Sequence, residues 1–210
     1  MLAHPTISPT ITMNKPYSES CEQNREPILS VIKPILADAG KLLEVGSGTG
    51  QHAVYFAEKM PHLRWYTSDC REYIPGINQW ITESDLDNVV APFELNVTTS
   101  QWPQLVVDAI FTANSLHIMS EQDAVNLIDG AGELLHPQGS LLVYGPFNYD
   151  GGFTSESNQR FDLWLKDRDF RSGIKDFEFI IELANNNGMS LIKDYEMPAN
   201  NRLLHFQKIS

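Results

Sequence analysis

Leu42-Leu43-Glu44-Val45-Gly46-Ser47-Gly48-Thr49-Gly50 decides the fold. An apolar run leads into three glycines at alternate positions. The residues that follow put Ala53, Phe56, Ala57 and Met60 on one helical face. The order is a short buried strand, a tight turn and a helix start. Glycines in the turn leave the backbone open to a ligand, since no Cβ stands in the way. A GxGxxG dinucleotide fingerprint needs glycine or alanine where this chain has Gln51. Ser47 lies directly between two glycines and is not the centre of a nucleophile elbow, which excludes a hydrolase reading.

Outward from this turn, strands and helices alternate, which implies a mostly parallel sheet covered on both faces. Strands are expected at 41–46, 63–68 (ending at Asp69), 89–95, 107–113 and 139–145. Pro61 stops the helix after the turn, and a helix around 75–83 is expected to bury Ile77, Trp80 and Ile81. Ser120 caps a further helix, with Asp123 as capping-box partner, carrying Ala124, Leu127, Ile128, Ala131 and Leu135 inward. Ahead of the first strand, Ile28, Ile32, Ile35 and Leu36 form a stripe on a helix expected over 27–37. Pro27 suits its first turn, and Pro34 should kink or shorten it. Two late strands, 189–196 and 202–208, are too close in sequence for a crossover helix and form an antiparallel pair. The expected fold is therefore α/β: a seven-stranded, mostly parallel Rossmann-like sheet with a C-terminal antiparallel hairpin, helices on both faces. That is the way the class I methyltransferase fold closes.

Candidate ligand residues gather where the strands end, because open parallel sheets bind ligands beyond their carboxyl ends. Glu44 precedes the glycines, and a carboxylate there would repel a pyrophosphate by roughly 3 kcal/mol at ~5 Å and an effective dielectric near 20. A cation would be attracted by as much. S-adenosylmethionine (SAM) carries a sulfonium and an ammonium, so SAM is the expected cofactor. Glu44, Gly46, Ser47, Gly48 and Gly50 should shape its methionine site, with free amides at the helix start meeting the carboxylate. Asp69 stands roughly 20 residues on, where an acid accepts both ribose hydroxyls. Cys70, Asn96 and Val97 are candidates for the adenine pocket, Asn114 and Leu116 for the loop facing the methyl group. His117 is the general-base candidate, because an imidazole titrates near neutrality. Tyr17 and Asn148 are further catalytic candidates, and Asn24 and Asn201 are expected on the substrate side. The insertion at about 146–175 is placed where substrate lids occur. No histidine or cysteine spacing suggests a metal.

Composition narrows the partners. The chain has 210 residues, 42% of them hydrophobic, and a net charge of -12. That suits one domain over 17–210, preceded by a tail over 1–16 rich in Pro, Thr and Ser. No two Lys or Arg residues are adjacent, so no basic stripe serves a nucleic acid, and a small-molecule substrate is expected. No apolar run spans a membrane, and residues 1–14 lack the pattern of a signal peptide. The 2 cysteines make no disulfide framework, so a cytoplasmic setting is expected. The sequence leaves the oligomeric state open.

Several motifs together are more specific than the glycine turn. They are 17–29 (YSESCEQNREPIL), 43–52 (LEVGSGTGQH), Tyr144-Gly145-Pro146-Phe147, Phe161-Asp162, Arg168-Asp169, Gly173-Ile174-Lys175-Asp176 and 197–204 (MPANNRLL). With these, nearly the whole chain from Tyr17 to Phe206 resembles the methyltransferase-like protein 26 group. The resemblance implies a SAM-dependent methyltransferase fold and no particular substrate. The group's pattern commonly has aspartate where Asn96 stands and methionine where Ser115 stands, at the adenine and methionine ends of the pocket respectively. In this fold, a segment such as Tyr17–Asn24 is expected to close over the ligand. The expected function is a SAM-dependent methyltransferase acting on a small molecule. The alternatives are a non-catalytic SAM-binding module acting through partners and an NAD-dependent oxidoreductase.

Overall fold

A computed structural model describes residues 15–209. Nine strands and six helices follow one another as α1 (Glu19–Ile35), β1 (Lys41–Val45), α2 (Gln51–Lys59), β2 (Arg64–Asp69), α3 (Ile74–Ser84), β3 (Val89–Glu94), β4 (Val107–Ala113), α4 (Glu121–Leu134), β5 (Leu135–Gly145), β6 (Phe147–Asn148), α5 (Glu156–Arg168), β7 (Lys175–Asp176), α6 (Phe177–Asn186), β8 (Met189–Met197) and β9 (Asn201–Lys208). The main sheet has the order β3-β2-β1-β4-β5-β9-β8. Pairing is parallel from β3 to β5 and antiparallel from β5 through β9 to β8. This is the expected seven-stranded α/β sheet with its closing hairpin. The strand order reverses between the parallel neighbours β1 and β4, so the carboxyl ends of β1, β2 and β4 open one crevice.

Two apolar layers sandwich the sheet. Leu43 and Val45 face one layer with Ile110, Leu127 and Phe206. Leu42 faces the other with Ile28, Ile32, Phe56 and Trp65. The alternation of adjacent β1 residues between layers is the period of a strand buried on both faces. The capping box on α4 forms as expected, with Ser120 and Asp123 exchanging bonds at the helix start.

Several boundaries differ from the expectation. Helix α1 starts at Glu19 and runs through both Pro27 and Pro34, rather than starting at Pro27. Ser18 caps it, accepting from Cys21 N, and Gln51 clasps that same Ser18. Its Oε1 accepts from Ser18 N at 2.5 Å and its Nε2 donates to Ser18 O at 3.3 Å. These bonds and the buried Ile28 and Ile32 hold the helix across the N–H that Pro27 lacks. Strand β5 begins at Leu135, directly after α4, where Leu135 pairs with Val107 before a register shift. Helix α6 had no counterpart in the sequence reading. Its signal was Ile180 and Ala184, buried one turn apart. The expected tail lies outside the described residues up to position 14. Lys15 and Pro16 pack on α3, where Trp80 Nε1 donates to Pro16 O at 2.7 Å, and Trp80 is only partly buried.

Gly130 of α4 lies beneath the Trp102 ring, and a Cβ there would sit 2.0 Å from it. Alanine would gain about 1 kcal/mol of helix propensity, while overpacking costs roughly 1–3 kcal/mol. Gly130→Ala is therefore expected to lower Tm in thermal unfolding; an unchanged or raised Tm would show that Trp102 yields freely.

Candidate functional site

The first loop is tied down by its own amides. Gly46 N and Ser47 N both donate to Ser68 O at 3.0 Å, and Gly50 N donates to Ser47 O at 2.9 Å. Gly48 N donates to Asp69 Oδ2 at 2.6 Å. These loop amides are therefore engaged within the protein rather than standing free for a ligand. Gly46 has φ +77° and is close-packed, since a Cβ would fall 2.6 Å from Ser115 Oγ. Gly48 has φ +58° and open space beside it, so it is the glycine that lets a ligand approach.

A cavity of about 810 Å³ opens beyond this loop. Gly46, Ser47, Gly48, Asp69, Cys70, Asn96, Val97 and Asn114 all line it, as do Ser18, Ser20 and Cys21 from α1. Asp69 is mostly buried, and its Oδ1 accepts from Cys70 N at 2.7 Å. Burial pushes its pKa up, against the pull of the Gly48 and Cys70 amides. Asn96 closes a turn, its Oδ1 accepting from Thr98 N at 3.0 Å, and it also borders the cavity.

Glu44, Gly50 and Leu116 are not brought to this cavity. Gly50 packs its backbone on Ile77 of α3, where a Cβ would lie 3.1 Å from Cα. Leu116 sits in the apolar layer with Leu127. Glu44 follows Leu42 to the opposite layer, where its Oε2 accepts from Trp65 Nε1 at 3.0 Å. Burial pushes its pKa up to about 7, against the pull of the Trp65 and Ser47 side chains, so Glu44 sits behind the loop on the core side rather than on the cavity wall. The acids that do face the cavity are Asp69, Glu72 and Asp123, with Arg171 at one side. Sequence reasoning missed Glu72 as a wall residue and saw Asp123 only as a cap.

A second cavity, of about 640 Å³, adjoins the first and shares Ser20 and Asn114 with it. His117, Asn24 and Asn201 line it, together with Tyr144, Asn158 and Phe161, which sequence reasoning did not single out as site residues. Asn24 Oδ1 meets His52 Nε2 at 2.7 Å, and Asn201 Nδ2 donates to Pro198 O at 3.2 Å. Burial pushes the Tyr144 hydroxyl's pKa up, against the pull of the nearby Asn24 and Asn201 side chains. Burial, then the nearby Lys175 cation, lowers the His117 pKa to about 4, so the ring is neutral at pH 7. Asn114 joins the cavities with φ +58°, unusual for a residue other than glycine. Ala199 and Asn200, at φ +58° and +57°, turn the β8–β9 hairpin over the second cavity.

Two catalytic candidates lie elsewhere. Tyr17 is 59% exposed and lines neither cavity, because Pro16 and Ser18 on either side are the docked residues. Asn148 is buried inside the insertion, its Nδ2 donating to Ile174 O at 3.3 Å, and it too lines neither cavity.

Sheet order and crevice define a class I methyltransferase fold, and solved structures agree. The chain is similar to an O-methyltransferase family protein from Burkholderia thailandensis, at TM-score 0.79 and 20% identity, covering 88% of this chain and 56% of that one. It is similar to human N-acetylserotonin methyltransferase in complex with SAM, at TM-score 0.78 and 16% identity, covering 91% and 53%. A third is PigF with SAH, at TM-score 0.76 and 12% identity, covering 89% and 56%. The chain thus spans little more than half the length of these proteins. The family described as "Protein of unknown function (DUF938)" matches residues 15–208, and the chain belongs to it.

Glu44 gives a pH-dependent test of the core placement. Its folded pKa lies above the ordinary 4.5, so its contribution to stability is full below that value and is lost as pH rises through about 7. Glu44→Gln removes this loss while keeping an acceptor for Trp65. Relative to the native chain, the variant is expected to gain about 2–3 kcal/mol between pH 5 and pH 8.5 in urea unfolding. The lowered pKa values of His52 and His117 act the other way below pH 6.5, are common to both proteins, and cancel in the difference. Parallel pH profiles would place Glu44 in contact with solvent.

Proposed function

We propose that the chain is a SAM-dependent methyltransferase acting on a small molecule. What carries this reading is the pairing of two cavities: one bordered by acids and a glycine loop, the other by neutral side chains, meeting at Asn114. The first suits SAM, whose sulfonium and ammonium are drawn to Asp69, Glu72 and Asp123. Asp69 would accept the ribose hydroxyls, the loop Gly46–Gly48 would border the methionine moiety, and Cys70, Asn96 and Val97 would border the adenine. The fold shared with a methyltransferase solved with SAM and with PigF solved with SAH supports this assignment. So does the sequence resemblance to the methyltransferase-like protein 26 group.

When bound, SAM supplies an electrophilic methyl group, leaving with its bonding electrons on sulfur as a neutral thioether. The chain's own residues align the acceptor and keep water out, which is most of what methyl transfer requires. Asn114 is at the junction through which acceptor and methyl meet. His117 is neutral at pH 7 and can accept a hydrogen bond from an attacking atom that carries a proton, but its lowered pKa makes it a weaker base than the ordinary imidazole expected from the sequence. Asn24, Asn201 and Tyr144 line the cavity in which the acceptor is oriented. Among the described residues no helix is long and apolar enough to cross a membrane. We place the protein in the cytoplasm, where its free Cys21 and Cys70 stay reduced.

Calorimetry is expected to show binding of SAM and SAH and none of NADH. Asp69→Ala should weaken SAH by about 1–3 kcal/mol through lost hydrogen bonds. NADH binding without SAM binding would contradict the proposal, and unchanged SAH affinity in the variant would remove Asp69 from the site.

A further inference from the structure

The two cavities differ in charge. Acids border the first, whereas no residue lining the second is a Lys, Arg, Asp or Glu. Two charged groups on elements beside it already have partners within the protein. Lys175 Nζ donates to Met119 O at 2.7 Å and Gly173 O at 2.9 Å. Asp162 accepts from Ile174 N at 2.9 Å and meets Lys166 at 2.7 Å. A carboxylate, phosphate or ammonium entering this cavity would lose water and find no charged side chain on the lining to pair with directly, which costs several kcal/mol.

The walls are nonetheless rich in hydrogen-bonding groups. Asn24, Asn114, Asn158, Asn200 and Asn201 line it. Asn158 Nδ2 is spent on Thr154 Oγ1 and Asn200 O, and Asn201 Nδ2 on Pro198 O and Ala199 O, so these two amides offer their oxygens as acceptors. A hydroxyl is an uncharged group that can donate to such an oxygen. Between them stand flat, rigid surfaces: Phe161, whose ring meets His117 edge-on at 5.1 Å, and Pro27, Pro146 and Pro198. Such surfaces pack best against a ring.

We propose that the second cavity binds an uncharged, hydroxyl-bearing ring compound, and that this is the class of methyl acceptor. The assignment rests on the reading that SAM occupies the first cavity. Asn158 anchors the compound, since it is buried and held by its own bonds to Thr154 Oγ1 at 2.9 Å and Asn200 O at 3.3 Å. Phe161 supplies the face on which the ring rests.

The test is binding to the full chain saturated with SAH, followed by ligand-observed NMR. The probes are benzyl alcohol and phenol on one side and benzoate, phenyl phosphate and benzylamine on the other. The hydroxyl probes are expected to bind at least about tenfold tighter than the charged ones, an advantage of about 1.4 kcal/mol or more. Phe161→Ala should weaken them about fivefold or more. Ser157→Lys, at an exposed helical position on the rim, should tighten benzoate and phenyl phosphate about fivefold or more without disturbing the core. Equal or tighter binding of a charged probe to the native chain overturns the proposal. So does an absence of hydroxyl-probe binding, or binding that ignores both substitutions. Calorimetry of SAH on the same sample separates the two readings. Failure of SAH to bind removes the cofactor reading, whereas SAH binding with a preference for charged probes removes the acceptor class alone.

Discussion

One carboxylate holds the ligand-facing ends of two strands together. Asp69, the last residue of β2, accepts from Gly48 N of the loop after β1 and from Cys70 N of its own loop. Gly48 tolerates the left-handed backbone that aims its amide at Asp69, and Gly46 leaves room for Ser115 from the loop after β4. Three strand ends thus converge on one acid and two glycines. Both oxygens of the carboxylate are partly satisfied before any ligand arrives, so a hydroxyl reaching it meets a fixed acceptor rather than a mobile side chain. Fixed acceptors bind with less ordering cost.

The electrostatics of the crevice follow from where each acid points. Strand alternation sends Glu44 into the layer that holds Trp65, so its charge is suppressed by burial instead of being displayed. Asp69, Glu72 and Asp123 come from β2, from the loop after it and from the cap of α4, and they make the first cavity acidic. The preference for a cation that the sequence suggests through Glu44 is therefore carried by other residues. Helix α1 then divides the crevice. Ser18 and Cys21 face the acid-bordered side, Gln23 and Asn24 the neutral side, and Ser20 both. Gln51, the residue that breaks the dinucleotide fingerprint, clasps the start of this helix.

Much of this was legible from residues alone. Alternating strand and helix patterns, the Ser120–Asp123 box and the short 197–201 connection lead to the mostly parallel sheet and its antiparallel edge, though not to the strand order. Asp69 was legible as a candidate because it ends the second strand at the distance from the glycine turn where an acid can meet a ribose. What escaped depends on direction and distance. Period-two alternation places Glu44 with Leu42, yet proximity to the glycines made it look like a ligand residue. Tyr17 and Asn148 share neighbourhoods with site residues in sequence, but docking of Pro16 turns one outward and pairing of β6 with β7 buries the other. Asn158 and Phe161 reach the second cavity only through the path of α5, which no local pattern encodes. Helix α1 was expected from the Ile28, Ile32, Ile35 and Leu36 stripe, but its first turns from Glu19 were missed because Pro27 suits a helix start.

The central claim, that an acid-bordered crevice beside a neutral one holds a sulfonium cofactor, is tested most directly by a crystal structure of the full chain soaked with SAH. The account expects the ribose hydroxyls on Asp69, the adenine beside Cys70 and Val97, and the thioether sulfur at Asn114, turned toward His117. SAH absent from the crevice, or a phosphate-bearing ligand seated against Gly46–Gly48 in its place, would contradict it.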